Sequence, residues 1–322
     1  MKENKFVFVN GLLNSKLSGV GQLPHGVQLH TQKGFELIIP DKVILEEMIH
    51  LFLLADANAA RKADGEGFAI KISAGVSTRL NFVLHKTGAA EFCPQKMTVD
   101  IHLSENACVD YYQIEEVGVK GKFETINQFH LKKHASLDYL VFAASDGASN
   151  NRTTVDFDQE HGFFSAKGLT MLSGQAKANH WLTVNHRAGH CISRQYFKSV
   201  LAEHSHASFE SLVHVYPAAS KSDSQQLNRN LLLSDNAQAR SKPELQIDND
   251  DVAASHGSAS GQLDDNELFY LQSRGLSKES ARLVLVDGFA EEIVGNVSEK
   301  DLKSYLEAKI HDGIQAMVGS IQ

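Results

Sequence analysis

The side chains able to do chemistry in this sequence are three cysteines, sixteen histidines and one tight acidic run. Cys93, Cys108 and Cys191 are sparse, odd in number and free of any Cys-x-x-Cys pair. That pattern argues against a disulfide framework and against a self-sufficient four-thiolate metal site, and each thiol is expected to behave as a small buried hydrophobe. The acidic run is Asp248-Asn249-Asp250-Asp251-Val252-Ala253-Ala254-Ser255-His256-Gly257. Carboxylates bind hard cations and an imidazole adds a softer ligand, so the run is a candidate metal site. Asp248, Asp250 and Asp251 are also candidates for a carboxylate pair that cleaves polysaccharide. Asp and Asn are favoured in turns for backbone reasons, however, and the expectation adopted is a solvated turn followed by a hydrogen-bonded histidine. His186, His190 and Cys191 form another group, and His204 with His206 another, because an i, i+2 pair on a strand shares one face. A closed zinc site takes four ligands, so these residues, with His161-Gly162 and His180-Trp181, are read as structural.

Whole classes of function are excluded. Gly65-Glu66-Gly67 and Gly19-Val20-Gly21 lack the strand–turn–helix context of a phosphate cradle, and no Ser/His/Asp order or dinucleotide fingerprint is present. This chain is therefore not an ATPase. A formal charge of −8 is the opposite of a nucleic-acid footprint. The strongest apolar stretch, Met48 to Ala55, is far shorter than the roughly 18 residues a membrane helix needs. The N-terminal apolar runs are broken by Asn10, Gly11 and Asn14, unlike a signal peptide. A soluble, cytoplasmic protein without nucleic-acid or membrane partners is expected.

Three regions would position these residues. Residues 1–66 should hold short strands, with a turn at Asn10-Gly11, and one amphipathic helix from Asp41 to about Lys62, where Ile44, Leu45, Met48, Ile49, Phe52 and Leu53 recur at helical spacing. Residues 67–262 lose that period and become short alternating segments, several introduced by a polar turn and an alanine. Ala107 and Ala135 lie 28 apart, Ala207 and Ala237 lie 30 apart, and Ala176 precedes Ala207 by 31. Stacked coils of a β-solenoid produce such offsets, each burying a small residue at its corner; a sandwich with regularly spaced turns also fits. In residues 263–322 helices return. Asp264 or Asp265 caps the first, which closes near Arg274-Gly275; Ser277 caps the second, through Val294; Ser298 and Asp301 open a third carrying Leu302, Tyr305, Leu306 and Ile310. This unit is too small to fold alone and should dock on the body or a partner.

Longer stretches carry a resemblance. Leu231-Leu232-Leu233-Ser234-Asp235-Asn236-Ala237, Lys242-Pro243-Glu244-Leu245-Gln246-Ile247, Asp250-Asp251-Val252, Ser255-His256-Gly257 and Phe269-Tyr270-Leu271-Gln272-Ser273-Arg274-Gly275 resemble, in that order, the C-terminal signature of the SufB/SufD family of iron–sulfur cluster assembly scaffolds. Ala281 and Gly288-Phe289-Ala290 continue it. Val7-Phe8-Val9-Asn10-Gly11, Leu17-Ser18 and Leu23-Pro24 are similar to SufD, as are His256-Gly257 and Ser273-Arg274-Gly275. The resemblance implies a mainly β protein: a right-handed parallel β-helix core with a small C-terminal helical subdomain. It implies a non-catalytic subunit that meets a SufB-like chain through the β-helix and a SufC-like ATPase through the helices from Asp264 to Ile310. No cofactor would be bound stably by this chain alone. A transient iron–sulfur cluster would be built at the partner interface, with His256 as this chain's iron ligand. SufD often carries cysteine two positions before that histidine; Ala254 stands there instead, so His256 would act alone from this side. Longer members carry a helical region ahead of the strand near which this chain begins. A homodimer pairing solenoid edges, and a β-helix carbohydrate-active enzyme using the acidic run, are the alternatives carried forward.

Overall fold

The structure is a computed structural model, and it describes all residues except 1–3, 20, 22, 33, 56–66, 89–95, 119–121, 296 and 321–322. The N-terminal strands are β1 (Asn4–Val9), β2 (Leu12–Leu13), β3 (Gln28–His30), β4 (Phe35–Ile39) and β5 (Ile49–Ala55). Then follow β6 (Phe68–Ala74), β7 (Arg79–Gly88), β8 (Lys96–Leu103), β9 (Cys108–Val117), β10 (Lys122–Leu131), β11 (Ser136–Ala144) and β12 (Ala148–Phe157). The last seven are β13 (Phe163–Leu172), β14 (Lys177–His186), β15 (Ile192–Leu201), β16 (His206–Val215), β17 (Asp223–Leu232), β18 (Gln238–Ile247) and β19 (Ala253–Gly261). Odd strands from β5 onward form one sheet, in the order β19-β17-β15-β13-β11-β9-β7-β5-β1-β2, and even strands form the other, β18-β16-β14-β12-β10-β8-β6-β4-β3. From β4 and β5 on, every pairing is parallel and skips one strand, which makes a parallel β-solenoid of about 7 turns. One ladder, Arg79–Cys108–Ser136–Phe163–Ile192–Asp223–Ala253, marks successive coils.

Alternation places one face of each strand between the two sheets. Val109, Tyr111, Phe129, Leu137, Phe157, Phe164 and Val184 are buried there in one continuous core. The corners explain the alanines. Ala107 and Ala135 precede strands of the first sheet, Ala176 and Ala237 precede strands of the second, and Ala207 is already the second residue of β16, so the sequence spacing merged different positions. Cys191 takes the position of Ala107 and Ala135 in its own coil and is buried. At the turn beside that corner the chain passes through left-handed backbone at Ser77, Asn106, His134, His161, His190 and Lys221. His134 stacks on His161 and His161 on His190, with ring centroids 4.8 and 4.7 Å apart.

The helix expected from Asp41 to Lys62 is not formed over the described part of that range, and residues 56–62 lie outside it. β5 occupies Ile49–Ala55, pairing with β1 and β7. Ile49, Leu51 and Leu53 point into the core, while Ile44 is exposed. The period-2 demand of two neighbouring strands overrides a helical spacing that only six residues supported.

At the other end lie α1 (Asp265–Ser273), α2 (Lys278–Val294) and α3 (Lys300–Ser320). Asp264 and Ser277 cap the first two as expected, and Gly275 turns the chain at φ +96°. The third is opened by the Glu299 carboxylate, which accepts from the backbone N–H groups of Asp301 and Leu302, not by Ser298. α2 and α3 bury Val286, Ala290, Ile293, Leu306, Ile310 and Ile314 against Val83, Ile114, Phe142, Leu169 and Val200 on the outer face of the first sheet. The seam is stitched by polar contacts. Lys198 donates to Phe289 O (2.7 Å) and to Glu292, and Lys309 meets Glu116 at 2.7 Å.

One glycine is fixed by packing. A Cβ on Gly168 would lie 2.2 Å from Cδ1 of Phe197, its direct neighbour on β15. Gly168→Ala is expected to cost about 1–3 kcal/mol through overpacking, read as a lowered thermal midpoint, and the additional change Phe197→Leu should recover part of it.

Candidate functional site at the open end of the solenoid

His256 lies on β19, opposite Gln226 of β17, which lies opposite Gln195 of β15. Gln195 and Gln226 point between the sheets and are buried. His256 therefore occupies an interior-facing position of the last coil. No further coil covers it, and it is exposed. Its Nδ1 lies 3.0 Å from Pro243 O on β18. A carbonyl oxygen only accepts, so Nδ1 carries a proton, and Nε2 is the nitrogen that has a lone pair to offer when the ring is neutral. Metal-ligating imidazoles are commonly oriented by this kind of contact. Gly257 follows, and a Cβ there would approach Leu227 Cδ1 to 3.3 Å.

The floor of this mouth is polar. Ser211 Oγ donates to Gln226 Oε1, and Gln226 Nε2 donates to Glu244 O at 3.1 Å. Ala254, on the same face as His256, lies opposite Ser224, and Ser224, Ser193 and His186 Nε2 form a chain of 2.9 Å contacts. Both rims are unpaired: β18 and β19 end their sheets, and Ile247 beside the mouth is exposed.

The other sequence candidates do not converge. Burial pushes the His186 imidazole down to about 4, and burial pushes the Cys191 thiol up to about 11 while its Sγ contacts Gln159 O and Gly189 O, both at 3.4 Å. His190 stands at the stacked corner. His204 lies in the turn before β16 and only His206 is on the strand, so the shared face expected for them is not formed. His180 is buried on Thr170 Oγ1 at 3.1 Å. Cys108 is exposed, contrary to the expectation for it, and Cys93 lies outside the described residues. The acidic turn is spent on its surroundings: Asp248 meets His214 at 2.7 Å, Asp251 meets Lys221 at 2.6 Å, and Asn249 donates to Pro217 O at 2.7 Å.

A polar cluster that the sequence reading missed lies deeper, between the sheets. Glu115 on β9 and Lys86 on β7 are paired neighbours, both buried, and form an ion pair. Glu115 accepts from Gln113 Nε2 (2.7 Å), Ser149 Oγ (2.5 Å) and Asn151 Nδ2 (3.1 Å). Tyr111 and Tyr139 both donate to Gln113 Oε1 at 3.1 Å. Burial pushes the Glu115 carboxyl up, and the Lys86 charge with these hydrogen bonds outweighs it, holding the group down at about 2. The signal was present in β9, where alternation puts Gln113 and Glu115 on the same face as Val109 and Tyr111.

Fold and site together define a parallel β-solenoid with a helical tail, an open end and an oriented imidazole in its mouth. The family model for "SUF system FeS cluster assembly, SufBD core domain" matches residues 60–289, more than half of the chain. The chain belongs to this SufBD family of iron–sulfur cluster assembly proteins. Among its relatives, a SufBD family protein of Synechocystis sp. is 33% identical over 214 residues, 64% of this chain and 46% of that protein. SufD of Escherichia coli is 28% identical over 231 residues, 72% of this chain and 53% of that one. SufD of Bacillus subtilis is 24% identical over 217 residues, 66% and 49% respectively. The chain thus spans about half the length of the curated relatives it matches. No described helix is long and apolar enough to cross a membrane.

Proposed function

We propose that this chain is a SufD-type scaffold subunit that works in a complex with a SufB-like chain and the ATPase SufC. Its cargo is a transient iron–sulfur cluster built at the SufB-facing interface, and His256 supplies an iron ligand there. The observation that carries this reading is the Nδ1–Pro243 O contact, which leaves Nε2 available as a ligand atom on an imidazole exposed at the open mouth. The unpaired strands β18 and β19 supply the sheet edges for a SufB-like partner. Catalysis resides in the separate ATPase, whose motion reaches the interface through the C-terminal helices. α1 supports that assignment, because it buries none of its residues and leaves Phe269 and Tyr270 exposed at 72% and 56%. An apolar patch without a use in the isolated chain is what a docking site looks like.

Co-expression with the host's SufB and SufC tests this directly. A ternary complex carrying iron and sulfide is the expected result. The double variant Phe269→Ser/Tyr270→Ser should keep its thermal midpoint and SufB while losing SufC by at least about tenfold in affinity, as anchor truncation does. A chain that remains a homodimer and ignores both partners overturns the proposal in favour of edge-to-edge self-pairing.

A further inference from the structure

The outer face of the second sheet, away from the mouth, carries a separate set of ligating groups. His102 on β8 and His130 on β10 are paired neighbours, and Asp100 lies two residues before His102 on the same face. The two rings and the carboxylate are brought together by the parallel register: the donor atoms of Asp100, His102 and His130 all lie within 4.8 Å of one another. His102 Nε2 is 2.9 Å and His130 Nε2 4.0 Å from Asp100 Oδ1. The imidazoles stack with centroids 4.5 Å apart. Asp100 Oδ1 is sequestered from solvent, yet no donor reaches it in hydrogen-bonding geometry. The carboxylate oxygen is thus surrounded by nitrogens that do not satisfy it.

A second observation points the same way. The far nitrogen of His130, Nδ1, faces Asp156 Oδ2 at 3.9 Å and Asp158 Oδ2 at 3.8 Å. Asp156 is itself held in place, accepting from Asn185 Nδ2 at 2.8 Å and from Arg187 Nε and Nη2 at 3.0 and 2.8 Å. These separations exceed a direct hydrogen bond, so the two carboxylates act on this side of the ring through their charge, and a carboxylate on the far side is the usual companion of a metal-ligating imidazole. His130 thus has an anchored carboxylate behind it and a carboxylate plus a second imidazole in front.

We infer that Asp100, His102 and His130 form a site for a divalent transition-metal ion of the zinc type, with the Asp156 and Asp158 carboxylates on the far side of the His130 ring. Two imidazoles and one carboxylate suit zinc, cobalt or nickel better than calcium or magnesium, which prefer all-oxygen shells. Bonds of about 2.0–2.1 Å to a tetrahedral ion place donors roughly 3.4 Å apart; the Asp100 oxygen lies 2.9 and 4.0 Å from the two imidazole nitrogens, and small side-chain rotations within the 4.8 Å cluster would bring all three donors to that spacing. With three ligands on a half-exposed face, the fourth position is left to water or to a group from outside. The ion would bridge two coils, β8 and β10, far in sequence order from the terminal strand that carries His256.

The test is titration of the tag-free chain with Zn2+ by calorimetry and with Co2+ by visible absorption. One ion per chain and a ligand-field band of tetrahedral or five-coordinate Co2+ are expected. His130→Gln and His102→Gln, both at outward-facing strand positions, should each weaken Zn2+ at least tenfold and remove the band. Asp156→Asn, which removes one of the two negative charges facing His130 Nδ1, should weaken binding by up to about tenfold, the lower end of the effect of an outer carboxylate. His256→Ala should leave both readouts unchanged, which separates this site from the mouth. Wild-type stoichiometry and affinity in the His102→Gln/His130→Gln double variant, or no binding by the folded wild type in the micromolar range, overturns the assignment.

Discussion

Glu115→Ala is expected to lower the stability of the chain by about 3–5 kcal/mol at neutral pH, because it leaves the Lys86 ammonium buried without its counter-charge. The loss exceeds that of an ordinary core truncation since Ser149 and Asn151 also lose their acceptor. Two further measurements separate the charge from the packing. Lys86→Met/Glu115→Gln removes both charges while keeping a hydrogen-bonding amide, and should recover much of the loss in denaturant titrations. A double variant no more stable than Glu115→Ala would show that the ion pair is not the cause. The pH dependence follows from the carboxyl held at about 2 against an ordinary value of 4.5. A depressed carboxyl stabilises the fold fully above about 4.5 and loses that contribution as pH falls towards 2. The stability gap between wild type and Glu115→Ala should therefore be constant from neutral pH down to about 5 and close between about 4.5 and 2.

His256→Ala should have the opposite profile: almost no effect on folding and a large one on assembly. The residue is exposed and its ring contacts the exposed Pro243 carbonyl, so stability should stay within about 0.5 kcal/mol. In a complex reconstituted with SufB and SufC, the variant should still assemble but retain at least about tenfold less iron and sulfide, the scale of a lost metal ligand or its support. Ala254 offers no thiol to take over from the same face. Unchanged cluster content in an intact complex would remove His256 from the role proposed above.

The strands and turns of the body were legible because their signals are local, but those signals also fitted a sandwich, and the family likeness is what pointed to a solenoid. Alternating segments, polar turns and corner alanines are written within one coil, and the caps at Asp264 and Ser277 within one helical turn. The error at residues 41–62 arose where local spacing was ambiguous: Ile49, Phe52 and Leu53 satisfy a helical period, and only pairing with β1 and β7 makes Ile49, Leu51 and Leu53 the inward set. His256 was found through family likeness; its place in the mouth depends on the coil count, which no single segment encodes. Gln113 and Glu115 were visible as polar residues at inward positions, but their partners Lys86, Ser149 and Asn151 come from other coils. His102 and His130 are 28 apart, the same offset as Ala107 and Ala135. Carrying the alanine register along the chain would have aligned them.

The uncovered last coil has a consequence for dynamics. In a stack of coils each layer is stabilised by its neighbours, and total stability is close to a sum of layer and interface terms. Interior layers have two such interfaces, whereas the layer of β18 and β19 has one. Opening fluctuations should begin there and propagate inward, so backbone amides around His256 should exchange with solvent ahead of those around Glu115. The ligand residue is thus carried by a terminal layer, which is less cooperatively held than the interior coils. A partner that adds strands to both edges would supply the missing interface, so docking and the ordering of the cluster site become one event.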